Sequence, residues 1–344
     1  MIITMALTAP VSTTTTLLDI AASLGLEARK TDDGAGADVI VVAGSIPRGE
    51  LDLPGIVEVK EKHPAFMLGS REARPRARTF VRVGDVEIGA STPIVMAGPC
   101  VVEDRDELIE IAHAVKQAGA SILRGGAFKP RTSPYAFQGL GERGLQHLAD
   151  AREATGLPVV TEVMEPEQVE MVAHYADMLQ IGARNMANFN LLKRAGMVRT
   201  PVLLKRGFSA TMDEWLMSAE YLLAAGNPNV VLCERGIRGF DPAFRFNLDL
   251  NAVPHVKQVS HLPIIVDPSH GTGRRSLVGR MALAGIAAGA DGIIIEAHPR
   301  PESALVDGNQ TITPEELRKL TRQCEAVASL LAYTDAPLSM VAGD

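Results

Sequence analysis

From residue 80 onward the chain alternates short apolar runs with helix-length amphipathic segments, and it does so eight times. The runs are "PIVMAGPC", "SILRGG", "PVVTEV", "MLQIGA", "PVLLKR", "VVLCERG", "PIIVDPS" and "GIIIEAH". Runs of this kind suit parallel strands buried on both faces. Between them lie stretches such as "DELIEIAHAVKQAG" and "MDEWLMSAEYLLAAG", each closing on glycine as helices prefer. Eight evenly spaced βα units in about 260 residues predict a closed TIM (β/α)8 barrel rather than an open doubly wound sheet. "VRVGDVEIG", with Gly-Asp at its turn, predicts a hairpin that caps the barrel bottom.

The first part of the chain has a different rhythm. "IITMAL", "LEARKT", "DVIVVAG" and "GIVEVKE" read as strands, and "TTTTLLDIAASLG" as a helix with a threonine cap. A second helix is expected in "SIPRGELDLPG". The order βαββ(α)β predicts a small α+β ferredoxin-like domain over residues 1–68. "GSREARPRARTF", residues 69–80, is rich in Arg and Pro and reads as a linker whose charge suits an acidic neighbour. The barrel is then expected over residues 81–344.

Composition excludes several classes of function. With 34 Lys+Arg against 41 Asp+Glu the net charge is −7, so no global field favours nucleic acid or an anionic membrane. No apolar run reaches the roughly 18–20 residues of a membrane span. "MIITMALTAP" lacks the basic start and long apolar stretch of a signal peptide. Three cysteines do not make a disulfide framework. A cytoplasmic protein is expected.

The polar residues in the barrel region fall at strand ends: Cys100, Arg124, Glu162, Arg184, Lys205, Arg235, Asp267, His270 and Glu296. In a barrel all these ends open onto one face, where such folds place their active sites. Arg124, Lys129, Arg131, Arg184, Lys205 and Arg235 would there form a cationic pocket suited to a substrate set with phosphates and a carboxylate. Cys100, His270, Glu296 and Asp307 offer thiolate, imidazole and carboxylate, a donor set for one divalent ion such as Mn, Fe, Co or Zn. Cys233, Cys324 and His113 read as packing residues, and His298 lies near the site without an assigned role.

"AGPC", "LRGGAFKPRTSPYAFQGLG", "QIGARN", "LLKRG", "CERGIR", "DPSH" and "EAHPRPESALVDGNQ" occur in order, and together they closely resemble the 3-deoxy-D-arabino-heptulosonate 7-phosphate (DAHP) synthases, type I-beta. The resemblance covers residues 80–335. It implies condensation of phosphoenolpyruvate with erythrose 4-phosphate, the first step of aromatic amino-acid biosynthesis through the shikimate pathway. By motif, it implies that Arg124 and Lys129 face the phosphoenolpyruvate carboxylate and that Arg184, Lys205 and Arg235 hold its phosphate. It likewise assigns Arg131 and Thr132 to the aldose phosphate, and Cys100, His270, Glu296 and Asp307 to the metal. Glu162, expected beside Lys129, is a candidate for positioning the water that adds at C2, so Lys129, Glu162 and His270 are the expected catalytic residues.

Three other readings compete. The first is the related 3-deoxy-D-manno-octulosonate 8-phosphate (KDO8P) synthase, which takes arabinose 5-phosphate; its loop resembles "KANRS" where this chain has "KPRTS". The second is a non-catalytic amino-acid sensor, and the third makes Lys205 a Schiff-base lysine. The resemblance also implies a homotetramer. Its N-terminal domain is expected to be regulatory, to bind an aromatic amino acid and to close over the barrel mouth.

Overall fold

The structure, a computed structural model, describes residues 1–130, 133–304 and 306–334, so the expected ligands Arg131 and Thr132 lie outside the described residues. Its N-terminal unit comprises β1 (Ile2–Met5), α1 (Val11–Ser23), β2 (Ala28–Asp32), β3 (Asp38–Val42) and β4 (Ile56–Lys60). The strands form an antiparallel sheet in the order β2-β3-β1-β4, the split βαβ arrangement of the ferredoxin-like fold. Two expectations need correction here. The second crossover helix shrinks to a single 3-10 turn at Arg48–Leu51, because Pro47, Gly49, Pro54 and Gly55 leave too little helix-forming sequence. Helix α1 starts behind Pro10 with no side-chain cap. Its threonines serve the sheet instead: Thr13 Oγ1 donates to Pro54 O at 2.9 Å and Thr14 Oγ1 to Asp38 Oδ2 at 3.0 Å.

The remaining strands are a hairpin, β5 (Val81–Val83) and β6 (Val86–Ile88), then β7 (Ile94–Gly98), β8 (Ile122–Arg124), β9 (Val159–Glu162), β10 (Met178–Ile181), β11 (Val202–Lys205), β12 (Val230–Glu234), β13 (Ile264–Val266) and β14 (Gly292–Glu296). The last eight form a closed parallel barrel, sealed where Gly292–Glu296 pairs in register with Ile94–Gly98. Around it run α2 (Arg105–Gln117), α3 (Glu142–Thr155), α4 (Val169–Tyr175), α5 (Phe189–Met197), α6 (Met212–Ala225), α7 (Ala252–Val259), α8 (Pro268–Thr272), α9 (Arg275–Ala287) and α10 (Pro314–Thr334). Among the described residues no helix is long and apolar enough to cross a membrane.

Strand periodicity determines what reaches the site. Side chains alternate faces along a strand. Ile94, Met96, Ile122, Val160, Met178, Leu203, Val231, Cys233, Ile265 and Ile294 fill the barrel interior, and Val81, Val83 and Ile88 of the hairpin plug its bottom. Their neighbours, including Val95, Leu123, Val159, Leu179, Leu204, Leu232 and Ile295, pack outward against the helices. Continuing the inward set two residues at a time reaches Arg124, Glu162, Gln180, Lys205, Arg235, Asp267 and Glu296. The same alternation that builds the core therefore lines the mouth with polar groups, all but Gln180 ionisable.

The segment between the two units is docked on both sides. The sheet packs Ile3, Met5, Ile40 and Val42 on Leu17 and Ala21 of α1, while Ile2, Val39 and Val41 on its other face meet Met67, Leu68 and Ala73. Arg74 and Arg76 pair with Asp32 and Asp33 at 2.8 and 2.5 Å. On the barrel side Glu220 of α6 accepts from the backbone of Leu68 and Gly69 at 2.7 and 2.9 Å. His261 Nε2 contacts Leu68 O at 2.8 Å, and its Nδ1 contacts Thr79 Oγ1 at 2.7 Å. Ser260 and His261 precede β13, so these contacts lie at the N-terminal ends of the barrel strands. That is opposite the mouth, which corrects the expectation that this unit covers the mouth of its own barrel.

Candidate active site

Three of the four expected metal ligands converge. Cys100 follows β7, Glu296 ends β14 and Asp307 lies in the loop before α10, yet their donor atoms all fall within 4.8 Å of one another. Asp307 is the one non-glycine residue at positive φ among those described, at 59°, a strained conformation of the kind held at functional sites. His270 stands just outside this trio, its Nε2 3.3 Å from Glu296 Oε1. Its Nδ1 is held by Asp267 Oδ2 at 2.8 Å, the carboxylate–imidazole pairing that orients a metal-binding histidine. Burial lowers the His270 pKa, favouring the neutral ring a metal requires.

A cation already sits among these donors. Lys129 Nζ lies 2.6 Å from Cys100 Sγ and 3.2 Å from Asp307 Oδ2, where the sequence reading had it facing substrate. The trio thus accommodates positive charge, and its soft sulfur and carboxylates, with the neighbouring His270 imidazole, fit a first-row divalent ion. Burial and the Glu296 charge push the Cys100 thiol well up, so a bound ion must displace that proton.

The cationic side of the pocket divides in two. Arg124, buried, donates to Pro99 O at 2.9 Å and Glu296 Oε1 at 3.2 Å, and Lys205 Nζ meets Asp267 Oδ2 at 2.5 Å. Arg184 and Arg235 have no carboxylate ion-pair partner among the described residues, although Arg235 is only 5% exposed. They lie instead over the ring of Phe208, at 5.3 and 5.0 Å from its centroid. Two guanidiniums gathered on one ring without carboxylate partners suit a phosphate.

Glu162 lies across the mouth with Gln180 Nε2 donating to it at 3.3 Å, and burial raises its carboxyl pKa against the pull of Lys205 and Lys129. Cys100, Arg124, Lys129, Glu162, Gln180 and His270 border a space of about 30 Å³, room for a water molecule. A larger cleft of about 920 Å³ opens beyond Asp307, between loops carrying Arg245, Arg274 and Asn309.

Several supporting residues went unassigned in the sequence. Asp267 was visible as a strand-end carboxylate, but its joining of Lys205 to His270 depends on neighbouring strands. Arg206, pointing outward, pairs with Glu234 at 2.8 Å and Asp249 at 3.0 Å and so ties the ends of β11 and β12. Phe208 and Phe246 carried no motif at all.

A family model described as the DAHP synthetase I family matches residues 60–332. A phospho-2-dehydro-3-deoxyheptonate aldolase of Thermotoga maritima is 51% identical over 266 residues, 77% of this chain and 78% of that protein. A 2-dehydro-3-deoxyphosphooctonate aldolase of Nitratidesulfovibrio vulgaris is 34% identical over 262 residues, covering 70% of this chain and 94% of that one. A crystal structure of the Thermotoga maritima DAHP synthase aligns with a TM-score of 0.77 at 43% identity, covering 96% of this chain and 97% of that one.

Proposed function

Because this chain belongs to the DAHP synthetase I family and has DAHP synthase activity, we propose that its barrel mouth condenses phosphoenolpyruvate with erythrose 4-phosphate in a metal-dependent reaction. The observation that carries this reading is the presence, at the C-terminal ends of one barrel's strands, of unneutralised Arg184 and Arg235 and of a cation-accepting thiol–carboxylate trio. Arg184, Lys205 and Arg235 hold the phosphoenolpyruvate phosphate, and Arg124 and Lys129 face its carboxylate. Arg131 and Thr132 take the phosphate of the aldose.

Cys100, His270, Glu296 and Asp307 would hold one divalent ion, Mn, Fe, Co or Zn, which when bound would supply Lewis acidity at the aldehyde oxygen. Lys129, which rests against Cys100 and Asp307, would turn from them towards the substrate carboxylate. The new bond joins C3 of phosphoenolpyruvate to C1 of the aldose, so no enzyme nucleophile is required. Lys205 serves as an ion-pair partner of Asp267, which argues against a Schiff-base role. Water adds at C2, positioned by Glu162, and the C2–O bond to phosphate breaks. Gathering two anionic substrates costs free energy in water, and a preorganised cationic pocket offsets it.

We also propose the domain division 1–68, 69–80 and 81–344, with the N-terminal unit binding an aromatic amino acid, tyrosine or phenylalanine, as a feedback inhibitor. A cytoplasmic homotetramer completes the proposal. Phosphate release is the test. Turnover of phosphoenolpyruvate with erythrose 4-phosphate, slowed by tyrosine or phenylalanine, is expected. Turnover with arabinose 5-phosphate alone would favour KDO8P synthesis, and none with either sugar in metal-replete protein would favour the sensor.

A further inference from the structure

A buried arginine meant for substrate must be held in place before the substrate arrives. A carboxylate would do this, but it would neutralise the charge and occupy the N–H donors that phosphate needs. Elsewhere in this mouth that solution is used: Arg124 is engaged by Glu296 and Lys205 by Asp267. Arg235 is treated differently. Its guanidinium lies 4.1 Å from the Phe246 centroid and 5.0 Å from the Phe208 centroid, and its one hydrogen bond among the described residues is a long 3.4 Å contact to Gly236 O.

The two rings stack on each other at 5.1 Å with an interplanar angle of 22°. Around them gather Arg184 and Arg238 on Phe208, at 5.3 and 5.6 Å, and Arg245 on Phe246 at 5.3 Å. The pair is built by the backbone. Ile237 and Asn247 exchange hydrogen bonds of 2.9 and 2.8 Å, folding the loop after β12 back so that Phe246 returns beside Arg235. Arg238 N donates to Phe208 O at 2.7 Å, fastening this loop to the one after β11. Phe246 is 6% exposed, so its contact with Arg235 is shielded from water, where an aromatic face attracts a guanidinium most strongly.

We propose that the stacked Phe208–Phe246 pair is a positioning platform that holds Arg235 and Arg184 in phosphate-binding geometry while leaving their charge and donors free. The inference rests on the reading that these arginines take the phosphoenolpyruvate phosphate. Aromatic faces bind the flat side of a guanidinium, and its N–H groups point outward in the plane, towards a ligand. Phe208 and Phe246 do not touch substrate; they act through the arginines.

The test compares full-length, metal-loaded F208L, F246L, F208Y and R235Q proteins by steady-state kinetics, direct phosphoenolpyruvate binding and thermal melting. Leucine keeps apolar bulk but removes the ring, while tyrosine keeps the ring at half-buried Phe208. F208L and F246L should raise KM and Kd for phosphoenolpyruvate about tenfold, with kcat and KM for erythrose 4-phosphate within about twofold. F208Y should remain near the unmodified protein. An unchanged KM for phosphoenolpyruvate in both leucine variants overturns the platform, as does F208Y matching F208L or both substrates' KM rising together with a lowered Tm. R235Q separates the two levels: if it leaves phosphoenolpyruvate binding intact, the phosphate assignment itself fails and the platform with it.

Discussion

Gly182 offers the most direct probe of Glu162. Its φ of −69° is open to any residue, so the backbone does not call for glycine there. The side-chain space does, because a Cβ on residue 182 would lie 2.0 Å from Glu162 Oε1 and 2.9 Å from Glu162 Cδ. Reaching ordinary contact at about 3.4 Å requires the carboxylate to move by at least about 1 Å. A terminal carboxylate can make that move by changing rotamer, so G182A should cost only about 1 kcal/mol of stability. The effect on rate should be far larger, since a misplacement of about 1 Å at a reacting centre costs on the order of 100-fold. The assay is kcat and KM for both substrates, alongside a urea melt. We expect kcat to fall about 100-fold with KM for phosphoenolpyruvate little changed, and the G182A/E162Q double variant to be no slower than E162Q alone. A G182A enzyme with kcat near that of the parent would refute the placement of Glu162 at the water.

Three further predictions follow from the supporting contacts. D267N leaves Lys205 buried without its partner and frees the His270 ring, so divalent-ion affinity should drop about 10–100-fold in a metal titration. His261, buried against Leu68 and Thr79, has its pKa lowered to about 4 from 6.5, so the fold binds it neutral. The stability this contributes is present above pH 6.5 and is lost as pH falls towards 4, up to about 3 kcal/mol. Urea midpoints measured across that window should therefore decline less steeply in H261N, and parallel curves would contradict the assignment. E220A removes the acceptor for the Leu68 and Gly69 amides and should cost about 1–3 kcal/mol, seen as faster amide exchange over residues 67–71.

The barrel was readable because eight parallel strands, buried on both faces, leave apolar runs that local sequence records directly. The polar mouth was readable for the same reason, since ionisable residues stand out at the ends of such runs. What was hidden depends on contacts across strands. Asp267 gains its role from Lys205 on β11, and Phe246 gains its role only when the Ile237–Asn247 pairing brings it beside Arg235. Lys129 was visible as a cation, but its position on Cys100 and Asp307 arises from the convergence of distant loops. "SIPRGELDLPG" misled because its spacing suits a crossover helix, whereas its prolines and glycines limit it to one turn. Segment 69–80 read as a linker suited to an acidic neighbour, and Asp32 and Asp33 are that neighbour; its contacts with Lys257 and Ser260 of the barrel were hidden because those partners are remote in sequence.

The central claim, that this mouth joins a metal to two phosphorylated substrates, is tested most directly by coupling metal analysis to turnover. Chelator-treated protein, assayed for phosphate release with phosphoenolpyruvate and erythrose 4-phosphate, should be inactive. Titrating in Mn²⁺ should restore turnover at one ion per chain, and C100A should bind the ion more weakly. Full turnover in protein shown to be metal-free would contradict the claim.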